Sequence, residues 1–283
     1  MLALLGLLSI ALAGIALVPA SHAEPADPPP PAEPDAQAPL PAIPLNEALF
    51  GTDQADEIYT GAADDILSGR GGDDILDGQG GDDRVSGGAG KDEVIGEAGH
   101  DALQGNDDAD SLFGHVGNDT LSGGTGADAL NGGDGVDTLF GGWGRDALLG
   151  SFGNDSLNGG GGQDMLQGGD GNDRLDGGAD LTRDYLNGGA GDDRLIGHAD
   201  DNLNGGDGAD VFAVGPVAAG HAPTIEDYDD RQDQIVVYYA GKPPNLTCEV
   251  TDDGVSLFAD GASVAELPGL TGFDLKAVQL VAA

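Results

Sequence analysis

Residues 123–140 read GGTGADALN GGDGVDTLF, two consecutive copies of one nine-residue sentence, Gly-Gly-x-Gly-x-Asp-x-Leu-x. Residues 168–176, GGDGNDRLD, are a third clean copy. Outward from this stretch the same register runs from Gly51 to Ala213, and the Asp slot is filled in all eighteen copies: Asp56, Asp65, Asp74, Asp83, Asp92, Asp101, Asp110, Asp119, Asp128, Asp137, Asp146, Asp155, Asp164, Asp173, Asp184, Asp193, Asp201 and Asp210. Two residues after each stands Ile, Leu, Val or, finally, Phe212. A disordered Gly/Asp tract has no reason to keep two columns in register, so the pattern predicts a solenoid of stacked short strands. The spacing breaks twice, at an insertion over 180–183 and at a one-residue deletion before Asp201. If two repeats make one coil, both breaks mar the same edge, because they fall in the fifteenth and seventeenth copies.

Composition states what such a stack lacks. The 283 residues carry 51 Asp and Glu against 10 Lys and Arg, a formal charge of -41, with 52 glycines and 5% aromatics. Clustered cations for phosphate are missing, which excludes nucleic acid as a partner. Like charges in a compact body repel, and glycine loses the most conformational entropy on ordering. A hard divalent cation is the predicted remedy. Cys248 is the single cysteine, so no internal disulfide framework contributes; it reads as a small buried residue in a strand rather than a reactive thiol.

The loop chemistry selects the cation. Glycine at slots one, two and four is expected to let the backbone take positive φ and turn carbonyl oxygens inward, and the Asp at slot six adds a short, rigid carboxylate. Calcium takes roughly 6–8 oxygen ligands at about 2.3–2.6 Å. His100, His115 and His198 occupy irregular slots and read as solvent-facing loop residues, so zinc and copper fit poorly. The predicted ligands are Asp65, Asp74, Asp83, Asp92, Asp101, Asp110, Asp119, Asp128, Asp137, Asp146, Asp155, Asp164, Asp173, Asp193 and Asp210. Asp56, Asp184 and Asp201 are left out. Gln54 replaces a fourth-slot glycine beside Asp56, and the loops before the other two are altered in length; Ala63 and Asp108 are further fourth-slot replacements.

The nonapeptide resembles the RTX, or hemolysin-type, calcium-binding repeat family, and the resemblance covers more than half the chain. It implies an all-β fold, a parallel β-roll with several calcium ions between successive loops on each edge. Asp137 would then share an ion with Asp155, and Asp155 another with Asp173. The residues after each Asp would form a short strand whose middle side chain points inward, so that Leu121, Leu130, Leu139, Leu148, Leu157, Leu166 and Leu175 line a thin core.

The flanks read differently. Residues 2–18 are an uncharged apolar run, followed by Ser21-His22-Ala23 before Glu24. Segment 1–23 is expected to be a cleaved secretory signal, with a retained membrane anchor or a buried helix as alternatives; the run lacks a preceding Lys or Arg and is long for a signal. Either leading option places the repeats outside the cytosol, a secreted or surface protein. Residues 24–50 read as a Pro-rich spacer, 51–213 as the roll, and 214–283 as a small antiparallel β cap, with strands expected within 224–237, 246–250, 255–259, 263–267 and 278–281. The segment 205–213 with 224–228 and 233–235 also resembles the way this family leads into a region used by the bacterial type I export apparatus, which conflicts with a removable signal.

No enzyme is expected. Paired acids such as Asp64-Asp65, Asp73-Asp74, Asp82-Asp83 and Asp192-Asp193 recur with the repeat, whereas a catalytic pair occurs once. HExxH is absent, and residues 261–265 (GASVA) lack the last glycine of a nucleophile elbow. A calcium-dependent enzyme acting on polysaccharide or protein is the alternative. Outward slots of the odd-numbered repeats include Tyr59, Ile75, Ile95, Phe113, Leu149, Met165 and Tyr185, against Arg84, Arg174 and Arg194 on the even ones. The odd sheet would then carry an interrupted apolar stripe that docks a second copy, the spacer or a cell-surface partner, but Ile66, Phe140, Ile196 and Val211 spoil the contrast and favour apolar residues scattered as on any surface.

Overall fold

The computed structural model describes residues 46–215 and 221–282. The segment read as signal or anchor and nearly all of the spacer lie outside the described residues. Strands alternate between two sheets, so that every second strand pairs in parallel with the one two before it. Sheet I has 12 strands and begins with Ala48–Phe50; sheet II has 13 and begins with Glu57–Tyr59. Partners lie eighteen residues apart, as in Leu121↔Leu139↔Leu157 on sheet I and Leu112↔Leu130↔Leu148 on sheet II. Two nonapeptides thus make one coil, with even-numbered repeats on sheet I and odd-numbered ones on sheet II.

The core follows from strand alternation. Successive inward positions are Asp, then the apolar residue two places on, then the first-slot glycine: Asp128, Leu130 and Gly132 are buried while Ala129 is exposed. Leu76, Leu103, Leu112, Leu121, Leu139 and Leu175 are fully enclosed in one continuous cluster with their neighbours. A buried Leu contributes about 1.5–3 kcal/mol. Only one is supplied per nine residues, which leaves the core thin.

Both length changes lie in loops passing from sheet I to sheet II, at 177–184 and 198–201. Register survives them: Met165↔Tyr185 and Tyr185↔Asn202 pair as their regular counterparts do.

Past Phe212 the roll continues before it is capped. Val211–Val214 pairs in parallel with Gln234–Tyr239, which pairs in parallel with Val278–Ala282. The antiparallel part is the meander Leu246–Val250, Gly254–Ala259, Ala262–Pro268, whose last strand joins sheet II beside Thr224–Ile225. Phe212, Tyr228 and Phe273 meet edge to face or tilted in sequence, at centroid separations of 6.4 and 5.9 Å, where the roll passes into the cap.

Candidate metal centres along the two edges

Each Asp slot opens a strand as the chain leaves an edge loop, with its carboxylate folded back inside the loop. Oδ1 accepts a hydrogen bond from the amide of the Asp one coil earlier: Asp119 to Asp137 Oδ1 at 2.8 Å, Asp137 to Asp155 at 2.8 Å, and Asp155 to Asp173 at 2.7 Å. On the edge leading into sheet I the line runs from Glu47, whose amide donates to Asp65, through Asp210 to Asp233. On the other edge it runs from Asp56 to Asp201. There the next register position is Pro223, beside Thr224, and no carboxylate continues it.

Oδ2 is another matter. In Asp65, Asp74, Asp83, Asp92, Asp101, Asp110, Asp119, Asp128, Asp137, Asp146, Asp155, Asp164, Asp173, Asp184 and Asp193 this oxygen is buried without any hydrogen-bond partner. A buried, unpartnered carboxylate oxygen is costly unless a cation meets it. Asp56 and Asp201 differ, because Thr52 and the His198 amide satisfy their Oδ2 atoms. Asp210 is not sealed in this way. Asp184 carries the same orphan as its neighbours despite the insertion before it.

Oδ2 packs against slot one, which only glycine can leave clear. A Cβ at Gly105 would lie 2.2 Å from Asp110 Oδ2 and 2.8 Å from the Gly123 carbonyl oxygen; at Gly150 it would lie 2.4 Å from Asp155 Oδ2 and 2.5 Å from Gly168 O. A carboxylate oxygen and a carbonyl of the next coil therefore crowd the same face of that glycine. This corrects the expectation that all three glycines serve positive φ. Slots two and four do take it, as at Gly124 (114°) and Gly126 (156°), but slot one does not. Its glycine is steric. Slot two also tolerates Arg70, Gln79, Glu97, Asn106, His115 and Ser151 in the left-handed region.

The donor set fits a hard cation. Among the described residues no three His, Cys, Asp or Glu side chains form a metal-holding group, so an ion beside these carboxylates would complete its shell with backbone carbonyls and water. That is oxygen chemistry suited to calcium and unsuited to zinc.

Burial pushes the carboxyl groups up, chiefly by desolvation, and the amide hydrogen bond on Oδ1 only partly offsets it. Asp83, Asp92, Asp101, Asp119, Asp146 and Asp155 rise to about 6, Asp110, Asp164 and Asp173 to about 7, and Asp184 to about 8. Folded pKa values above the unfolded value of about 3.9 mean that the metal-free fold binds protons more tightly than the unfolded chain. Its stability is therefore greatest below about pH 4 and is lost as pH rises through 6 and 7. Calcium requires the deprotonated form, so its affinity moves the opposite way. Lowering the pH from 7.5 to 5.5 is expected to raise the calcium midpoint of folding while making the chelated chain more compact; circular dichroism and small-angle scattering at both pH values read the two effects.

Residues beside the slot-six acids form a second ladder. Asp64 Oδ1 accepts from the Asp82 amide, Asp82 from His100, and His100 Nδ1 from Asn118 at 2.8 Å. Asn154 and Asn172 continue the pattern toward Asp192. The paired acids are thus loop staples. His100 and His115 are exposed as expected, whereas His198 is half-buried with Nε2 3.1 Å from Asp176 Oδ1. That pairing raises its pKa against the opposing effect of burial.

Orphaned acids beside carbonyls of the next coil, repeated along both edges of a parallel roll, are the pattern a metal-stapled solenoid requires. The RTX calcium-binding nonapeptide repeat model matches residues 50–85, 86–121, 113–148, 149–180 and 181–212, and the chain belongs to that family. No individual curated protein matches the chain. The roll is a calcium-binding structural module.

Proposed function

We propose that this chain works outside the cytosol as a non-enzymatic binding or structural module that folds as calcium ions enter its edge loops. The single observation that carries this reading is the row of fifteen buried Oδ2 atoms without partners. At neutral pH such a row opposes folding, and a divalent ion between coils removes both the charge and the missing coordination. Asp65 through Asp173 in register, with Asp184 and Asp193, hold the ions through Oδ2, while loop carbonyls supply the remaining ligands. Extracellular calcium is compatible with weak modules of this kind, which bind at about 10⁻⁴–10⁻³ M.

The apolar run over residues 2–18, ending in Ser21-His22-Ala23, supports export with cleavage. The mature chain is then expected to begin at Glu24. Intact mass on protein recovered from the culture medium of the native host tests this; full-length mass confined to the membrane fraction would replace the cleaved signal with an anchor.

A further inference from the structure

The outer face of sheet II carries exposed aromatic and amide side chains side by side. Three cavities open along it. The first, of about 320 Å³, lies between the Phe113 and Phe152 side chains where Gly133 leaves a notch, with Asn131, Ser151 and Asp134 on its floor and rim. The others, of about 340 and 290 Å³, adjoin one another at Met165 and Tyr185 and reach Arg145 on one side and Gln167, Asn187 and Asn204 on the other. Their volumes sit at the small end of ligand sites, about 300–1,000 Å³.

Chemistry narrows the occupant. Strand register places Phe113, Asn131, Leu149, Gln167, Asn187 and Asn204 in one column, each one coil beyond the last. Apolar and amide groups alternate along its first four members at the inter-strand spacing of about 4.8 Å. Ser151 Oγ donates to Asn131 Oδ1 at 2.9 Å, which leaves the Asn131 NH₂ to face a ligand. Phe152, Met165 and Tyr185 are 59%, 61% and 41% exposed. The buried core of a protein interface is more apolar than the surrounding surface, and here amides interrupt the apolar column. Sugar rings present the matching pattern: C–H faces that stack on aromatics, and hydroxyls that both donate to and accept from amides. The formal charge of -41 opposes an anionic chain. We infer that the outer face of sheet II binds an uncharged saccharide chain laid along the stack, with Phe113, Phe152 and Tyr185 as ring platforms and Asn131, Gln167, Asn187 and Asn204 as hydroxyl partners.

This site rests on the calcium-folded roll, so folding is measured separately. Full chain in calcium is titrated calorimetrically with the hexasaccharides of β-1,4-linked glucose, xylose and mannose, of α-1,4-linked glucose, and of galacturonic acid as the charged counterpart. At least one neutral hexamer is expected to bind, and more tightly than the acidic one. Tyr185→Ala and Gln167→Ala should each weaken it roughly fivefold or more, while Phe140→Ser, on the outer face of sheet I, should leave it unchanged. Each variant's calcium midpoint by circular dichroism establishes that it folds; if Tyr185→Ala does not, exposed Gln167 decides. Silence with every neutral hexamer, preference for the acidic one, or indifference to both substitutions overturns the inference. So does sedimentation of a dimer that Phe113→Ser dissolves, since a second copy would then cover the face. A roll that never folds in calcium would instead fail the proposed function, and the dichroism separates the two.

Discussion

Stripped of calcium at neutral pH, the chain is expected to lose its β-sheet signature and expand, and added calcium should restore it cooperatively. Two structural facts demand a large effect. The core supplies one enclosed apolar side chain per nine residues, and the same nine residues bury a carboxylate whose Oδ2 has no partner. The first is too little to order a glycine-rich chain, and the second works against it. An ion between two coils cancels the deficit at both, and neighbouring coils share the gain as in any solenoid. Far-UV circular dichroism through a calcium titration after exhaustive chelation is the measurement. β content that persists unchanged in chelator at pH 7.5 would mean that the roll closes without metal.

The second large effect is expected at the middle of the stack. Asp155→Ala should raise the calcium midpoint about tenfold or more, whereas Asp56→Ala should move it little. Asp155 accepts the Asp137 amide through Oδ1 and offers an orphaned Oδ2. Removing it strands a buried N–H, worth about 1–3 kcal/mol, and deletes a ligand as well. Asp56 opens the array, and Thr52 already occupies its Oδ2. Asp155→Asn separates the contributions, since the amide keeps the Oδ1 acceptor and loses the charge. Equal shifts for Asp155→Ala and Asp56→Ala would contradict the placement of ions between internal coils.

The roll itself was legible because its determinants are local. Asp, the apolar residue two places on and the first-slot glycine lie within one strand and one turn, so a nine-residue register fixes them. Two repeats per coil was the assumption under which both length changes fall on one edge, and the strand order has them there. What was not legible depends on contacts between distant residues. Asp233 extends the line of Asp210, but 23 residues separate them and no periodicity joins them. Val278–Ala282 joins sheet I in parallel after a chain reversal that the local pattern does not encode. The role of the first-slot glycine was misread because positive φ and steric clearance both select glycine, and only the position of Asp Oδ2 tells them apart. His198 was read as a solvent-facing loop residue because Asp176 lies 22 residues away in the sequence. The expected contrast between sheets is partial: Phe50, Ile66, Phe140 and Trp143 are exposed on sheet I or its edge.

Stacking two nonapeptides per coil also sets a length. Twelve strands at about 4.8 Å make sheet I a post of roughly 55 Å. The eighteen residues of one coil, drawn out at about 3.3 Å each, would reach about 60 Å instead of the 4.8 Å they rise when folded. Opening a single coil therefore releases more chain than the whole folded sheet is tall. If ions hold the coils shut, calcium concentration sets how far apart the two ends can be, and the same molecule is a short rigid spacer in a calcium-rich medium and a long slack tether where calcium is scarce.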